Sequence, residues 1–559
     1  MSVLLFSGSP LRCSGKGRAM RSAGLAVLLL AGCAGAALAA SAEVPIPYIA
    51  KKNGRHALMV DGAPFTMLAT QANNSSNYPA MLPKVWPALK RLNANTLEIP
   101  VAWEQIEPVE GKFDFSYVDT LVKQAHENKM RLVLVWFGTW KNTGASYTPV
   151  WVKNDTKRFP RMIDENGKNF YAMSPHASTT LAADQKAFAT LMDHVKKVDA
   201  TRTVIMVQVE NEVGTYGLVR DHAPSANALF NGPVPEKLIS GLHKKSGTWT
   251  EVFGSDAEEY FHAWAIASFV GKVAVAGKAI YPLPMYVNVS VRDPDNAQDP
   301  KTYAAGGPTW NVLDIWKIAA PEIFTAAPDL YNRDYNRTMS NLRRYTRPDN
   351  PLTIVEIGND PWYARFFFPV LGSHGLGFGP FGFDDTGYAN YPLGAKEVNA
   401  ESMAPFASHF ALLKPMMRKW AKLSFENETW GVAEPDDHTA QTLDLGRWKA
   451  TVSYGQWQFG EEKYFKNADK PAWAAKPCGG AMVARLGPDD FLVMGYRARV
   501  SFDLADTKSG QQAQWESVEE GHFEGDRWVR ERVWNGDQTD YGLNFTEAPQ
   551  VLRVRMSTY

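Results

Sequence analysis

Between about residue 55 and residue 400, short β-rich runs recur eight times with helical stretches between them, and this alternation limits the chain's fold more than any other feature. The expected strands are Phe65–Leu68, Thr96–Ile99, Leu132–Trp136, Val204–Val209, Met285–Val289, Ile323–Ala326, Leu352–Val355 and the glycine-rich Gly375–Phe378. Helical periodicity runs over Met81–Leu92, Val118–Asn128, Ala187–Val198 and Ala257–Gly277. Strands that are apolar almost throughout are buried on both faces, which is the signature of a parallel sheet covered by helices. Eight such units predict an α/β fold, a (β/α)8 TIM barrel over residues 43–415. A doubly wound open sheet is the competing arrangement, but no Gly-x-Gly-x-x-Gly follows the first strand to mark a dinucleotide site.

Past about residue 415 the texture changes. Phe491–Tyr496 and Trp528–Trp534 read as strands between Gly, Asp and Asn turns, and helical periodicity largely stops. A β-sandwich accessory domain over residues 416–559 is expected.

At the other end, Met20-Arg21 precedes the apolar run Ala23–Leu30 and a tract of small residues through Ala42. A basic start, a short apolar core and small cleavage-site residues describe an export signal over residues 1–42, with Met20 as the start of translation. Leu30-Ala31-Gly32-Cys33 resembles a bacterial lipobox, which would put a lipid anchor on Cys33. Cleavage after Ala39 or Ala42, leaving a soluble protein, is the other outcome these residues allow. Either way the protein is expected to be exported, periplasmic or outer-membrane-anchored in a Gram-negative-type bacterium. The apolar run is shorter than the roughly 20 residues of a spanning helix.

Charge and cysteine content exclude several functions. Lys plus Arg equals Asp plus Glu at 59 each, so there is no basic footprint for nucleic acid. Of the three cysteines, Cys13 and Cys33 lie in the leader, which leaves Cys478 without a disulfide partner. No His-x-x-x-His or Cys-x-x-Cys spacing marks a structural zinc site, and no metal or cofactor is expected. The aromatic share of 12% suits both large cores and sugar stacking.

Two carboxylates stand where barrel enzymes place their chemistry. Gln208-Val209-Glu210-Asn211-Glu212-Val213-Gly214 follows the fourth strand, and Glu356 ends the seventh, within Ile354-Val355-Glu356-Ile357. The C-terminal ends of strands four and seven lie across the mouth from one another. Retaining glycosidases need two carboxyls about 5–5.5 Å apart, one as nucleophile and one as acid/base. Glu212 can protonate a glycosidic oxygen and Asn211 can bond a sugar 2-hydroxyl. The plainer readings are a surface-loop position for Glu210 and Glu212, and a structural ion pair for Glu356.

These elements resemble glycoside hydrolase family 35, the β-galactosidases. The resemblance lies in Gln208–Gly214, in Trp103-Glu104-Gln105-Ile106-Glu107-Pro108 with Gly111-Lys112-Phe113-Asp114-Phe115, and in the Glu356 strand, and it covers roughly residues 50 to 400. It implies Glu212 rather than Glu210 as acid/base, and Glu356 as nucleophile. Two strand ends depart from the family: Glu98-Ile99-Pro100-Val101 stands where many members carry a Tyr, and Trp136-Phe137-Gly138-Thr139-Trp140 replaces an Ala-Glu-Trp type sequence. The pattern is similar to the bacterial subgroup with its own C-terminal β-domain, associated with galactosyl side chains of plant xyloglucan.

Further contacts at the mouth are expected from Asn73 and Asn74 as hydrogen-bonding groups and from Trp136 and Trp140 as stacking rings. Tyr331 would bond the nucleophile, and Trp362 would form a subsite wall. A turn or core-packing role is the alternative for each. The expected reaction is an exo-acting double displacement that releases terminal β-linked galactose, with the pKa of Glu212 above that of Glu356. A β-glucosidase, an α-L-arabinopyranosidase and a non-catalytic surface carbohydrate-binding protein are the competing readings.

Overall fold

The computed structural model describes residues 44–455, 476–507 and 510–559. The export signal, the Met20 start and the Cys33 lipobox lie outside these residues.

All eight expected runs are strands: β1 (Met67–Gln71), β2 (Thr96–Ala102), β3 (Arg131–Lys141), β4 (Val204–Asn211), β5 (Met285–Ser290), β6 (Ile323–Asp329), β7 (Ile354–Ile357) and β8 (Gly377–Pro380). Each pairs in parallel with its sequence neighbour, and β8 pairs with β1. Leu330 N donates to Glu356 O at 3.0 Å and Gly358 N to Leu330 O at 3.1 Å, which joins β6 to β7 and closes the ring. The fold is a (β/α)8 barrel.

Period-two alternation assigns the two faces of each strand. On β3, Leu132, Leu134 and Trp136 pack outward against the helices, while Val133, Val135 and Phe137 belong to other clusters. A three-stranded antiparallel sheet over Tyr48–Phe65 precedes the barrel. Its Leu58, Val60 and Phe65 join Met67, Val133, Tyr286, Ala327 and Val355 in one apolar plug. That plug leaves the C-terminal ends of the strands as the open end. In the outer ring, α1 (Ser178–Val198) packs against α2 (Ala257–Ile280). Helix α2 is long and apolar enough to cross a membrane by composition, but it is buried round much of its circumference as a core helix.

Helical periodicity does not stop at residue 415. Helix α3 (Met417–Glu426) turns Arg418 onto the carbonyls of Val60 and Ala63 at 2.6 and 2.9 Å, so it belongs to the barrel's base. The antiparallel strands begin at Thr429. One sheet has six strands, in the order β9 (Thr429–Ala433), β12 (Gly480–Gly487), β13 (Asp490–Tyr496), β18 (Val551–Thr558), β15 (Ala513–Glu524) and β16 (Arg527–Val533). The other has four: β10 (Gln441–Leu445), β11 (Trp448–Tyr454), β14 (Ala498–Leu504) and β17 (Leu543–Phe545). Ala481, Val483, Phe491 and Val493 face Trp448, Val452 and Val500 between the sheets. Their alternates Met482, Ala484, Leu492 and Met494 pack into the barrel-side core with Phe367 and Phe368. The larger sheet is therefore buried on both faces.

Candidate active site

At the open end lies a cavity of about 1100 Å³, walled by Asn73, Asn74, Lys141, Tyr147, Glu212, Arg292, Asp329, Tyr331, Arg337, Glu356 and Tyr388 among others. The end of β4 decides which of its two glutamates reaches it. Glu210 and Glu212 both take left-handed backbone, with φ of 64° and 44°, a conformation uncommon for residues with a Cβ. Glu210 is turned aside onto the end of β3, where Thr139 N and Trp140 N donate to it at 3.1 and 2.8 Å. It is buried beside Asp184, and desolvation together with that second carboxyl holds Glu210 well above the usual carboxylate range. Glu212 is left on the cavity wall, and its backbone N donates to Asn288 Oδ1 at 2.9 Å.

Glu356 stands opposite. One oxygen each from Glu212, Asp329 and Glu356 lie within 4.8 Å of one another. Tyr331 donates its hydroxyl to Glu356 Oε1 at 2.7 Å, and Lys141 Nζ lies 3.9 Å from Glu212 Oε2. Burial, and then the charge of Glu212, push the Glu356 carboxyl up to about 7, against the pull of Lys141, Tyr331 and Gln71. Glu356 is held up because its strand places it, buried, beside a second carboxyl.

Asn73 and Asn74 reach the wall, and the side-chain Oδ1 of each is buried without a hydrogen-bond donor among the described residues. Asn73 Nδ2 donates to Asp384 Oδ1 at 2.9 Å. Asn211 is fully buried, neither of its amide atoms has a partner among the described residues, and it does not line the cavity. The three tryptophans are corrections. Trp136 faces outward by the alternation of β3; its Nε1 donates to Asp184 at 2.9 Å and its ring packs on Phe188. Trp140 donates to Met173 O at 3.2 Å and packs on Phe269. Trp362 stacks on Arg365 at 4.0 Å. None of the three is on the wall, where the aromatic residues are Tyr147, Tyr331, Phe381 and Tyr388.

Three groups at the site escaped sequence reading. Asp329 ends β6 at the catalytic face, and that position alone could have marked it. Lys141 ends β3, beyond the apolar run by which the strand was recognised. Glu98 on β2 is fully buried; desolvation and Glu356 hold its carboxyl well above the usual range. It fits because residue 379 is glycine, where a Cβ would stand 2.9 Å from Glu98 Oε1. Glu212, Asp329 and Glu356 are the described carboxylates closest to a cation ligand set. Asn288 donates to Asp329 and Tyr331 to Glu356, while Lys141 lies against Glu212.

An eight-stranded parallel barrel with opposed carboxylates at its C-terminal face is the architecture of glycoside hydrolases. Comparison with known proteins agrees at that level. The family model of glycoside hydrolase family 42, described as β-galactosidase, matches residues 83–265, a span that contains Glu212 and ends before Glu356. A model described as a domain of unknown function matches residues 406–546. Over that span the chain is similar to the β-galactosidases of family 42, and not to family 35 specifically. No curated protein matches.

Among solved structures, the chain resembles the β-galactosidase of Rahnella sp. R3 (TM-score 0.45, 14% identity, 66% of this chain and 59% of that one). It also resembles the β-galactosidase of Bacillus circulans sp. alkalophilus (TM-score 0.45, 13% identity, 65% and 61%). A third is the catalytic domain of a β-amylase from Paenibacillus polymyxa (TM-score 0.44, 12% identity, 61% and 96%). The chain spans about three fifths of the length of the two β-galactosidases, and likeness of this degree says nothing of substrate.

Proposed function

We propose that the protein is a retaining exo-β-galactosidase. Glu356 attacks the anomeric carbon while Glu212 protonates the departing oxygen, giving a covalent galactosyl-enzyme. Water deprotonated by Glu212 then releases galactose with its configuration retained. The observation that carries this reading is that one oxygen of Glu212 and one of Glu356 lie within 4.8 Å of each other across the cavity, as opposed carboxyls about to share a sugar must. Tyr331 steadies the nucleophile, and Asn73 and Asn74 bond sugar hydroxyls.

The reading extends to a family 35 affinity, carried by Gln208–Gly214, and to galactosylated plant cell-wall oligosaccharides such as xyloglucan side chains as substrate. Residues 1–42 act as an export leader, with lipidation at Cys33 or release as a soluble periplasmic protein. The catalytic domain runs from residue 43 through helix α3, and the strands from Thr429 onward form the accessory one.

The test is hydrolysis of p-nitrophenyl β-D-galactoside beside the β-glucoside and the α-L-arabinopyranoside, with galactosylated xyloglucan fragments as the polymer-like substrate. Galactose release that is lost in Glu356→Ala is expected. A preference for another glycoside would replace the sugar, and an inert wild type on every substrate would refute the hydrolase.

A further inference from the structure

Asp329 is the third carboxyl of the cavity, and its surroundings fix where a proton on it would sit. Asn288 Oδ1 accepts from Glu212 N at 2.9 Å and from Gln208 Nε2 at 3.0 Å, so the amide can only turn its Nδ2 toward Asp329. That nitrogen donates to Asp329 Oδ2 at 2.8 Å. The other oxygen, Oδ1, is buried, meets no donor among the described residues, and belongs to a group that stands with Glu212 and Glu356 inside 4.8 Å.

Charge decides the state of this group. Around Asp329 are Lys141 from β3, Glu212 just past β4, Tyr286 from β5 and Glu356 from β7, with Tyr216 from the loop after β4 and Tyr331 and Tyr345 from the segment after β6. Glu98 on β2 lies beyond Tyr286. Lys141 is the cation in contact with the cluster, whereas Arg292 and Arg337 on the same wall are turned to the Tyr303 hydroxyl and to Asp293. A buried site with one ammonium accommodates one carboxylate, and further ionisation leaves uncompensated charge in a poorly solvated place. Glu356 must be that carboxylate for attack to occur. Once it is esterified, Glu212 takes its place as the carboxylate. Asp329 is then neutral in both halves of the cycle.

We infer that Asp329 works as a neutral carboxylic acid, its proton on Oδ1, donating a hydrogen bond to the Glu212 carboxylate that forms when the leaving group is protonated. The inference rests on the proposed roles of Glu212 and Glu356. No proton is lost from Asp329 in the cycle: Glu212 passes its own proton to the leaving oxygen and regains one from water, while the Asp329 O–H holds the intermediate anion. Burial and the two neighbouring carboxyls hold the Asp329 carboxyl well above the usual range, which favours the neutral form.

Asparagine reproduces the neutral form: its oxygen can face Asn288 and its NH2 can face Glu212. Asp329→Asn is expected to keep kcat on the galactoside within about tenfold of wild type. Asp329→Ala should lose about a hundredfold, as when a donor to a developing anion is removed. Thermal unfolding of both variants separates these effects from misfolding. Equal loss in the Asn and Ala variants would mean an ionised Asp329 and would overturn the inference.

Protein labelled with 13C only in aspartate carboxyls gives a readout independent of turnover. The signal absent from Asp329→Asn should remain that of a protonated acid at pH 7. If it titrates near the ordinary value of about 4, the inference fails even if hydrolysis is normal. If no substrate is cleaved but the signal is protonated, the hydrolase reading fails and the neutral Asp329 stands.

Discussion

Tyr331 shows how much of the site's chemistry turns on one hydrogen bond. Burial and Glu212 push Glu356 upward, while the phenol hydroxyl at 2.7 Å stabilises its anion and pulls the other way. The acid limb of kcat/KM, which reports the free enzyme, should therefore lie near 7, well above that of an ordinary glutamate. Tyr331→Phe removes a stabiliser of the ionised form, so the limb moves to higher pH. At pH 6 kcat/KM should fall roughly tenfold, the worth of one hydrogen bond to a charged group. An unmoved limb would show that the hydroxyl does not hold the nucleophile. The placement of Glu212 and Glu356 on one cavity was legible because strand ends are conspicuous in sequence and barrel geometry brings strands four and seven face to face. The tryptophans were misread because an aromatic residue near a strand end carries no sign of which face it takes, and only the alternation of β3 turns Trp136 outward.

At the scale of elements, the junction of β3 and β4 separates the two glutamates. Gly138 is part of that device: a Cβ there would stand 2.3 Å from Trp136 Nε1 and 2.7 Å from Glu210 Oε1. Gly138→Ala should cost about 1–3 kcal/mol by overpacking and should also lower kcat, since displacing Glu210 disturbs the turn that presents Glu212. Calorimetry beside steady-state kinetics checks both, and a variant with wild-type melting and turnover would contradict this account. The eight strands were readable as apolar runs because both of their faces are buried. Helix α3 was missed because it is ten residues long and follows directly on another helix across the boundary where strand texture was expected. The left-handed turn at Glu210 and Glu212 left no sign in the sequence, since neither position is glycine.

Across the whole molecule, the open end of the barrel holds the cavity, and its base and one side are covered. The N-terminal sheet plugs the base, and the six-stranded sheet covers the barrel side with one face while closing its own sandwich with the other. A sandwich could be inferred from strand texture; a sheet buried on both faces could not, because short apolar strands look alike whether one or both sides are covered. The central claim is that the two carboxylates opposed across this open end perform a double displacement. The most direct test is to supply azide to Glu356→Ala with a β-galactoside bearing a good leaving group and to determine the configuration of the product by NMR. The account predicts restored turnover and an α-galactosyl azide, formed by attack from the side that the missing carboxylate occupied. A variant that stays inert with azide, or that gives the β-azide, would contradict Glu356 as the nucleophile.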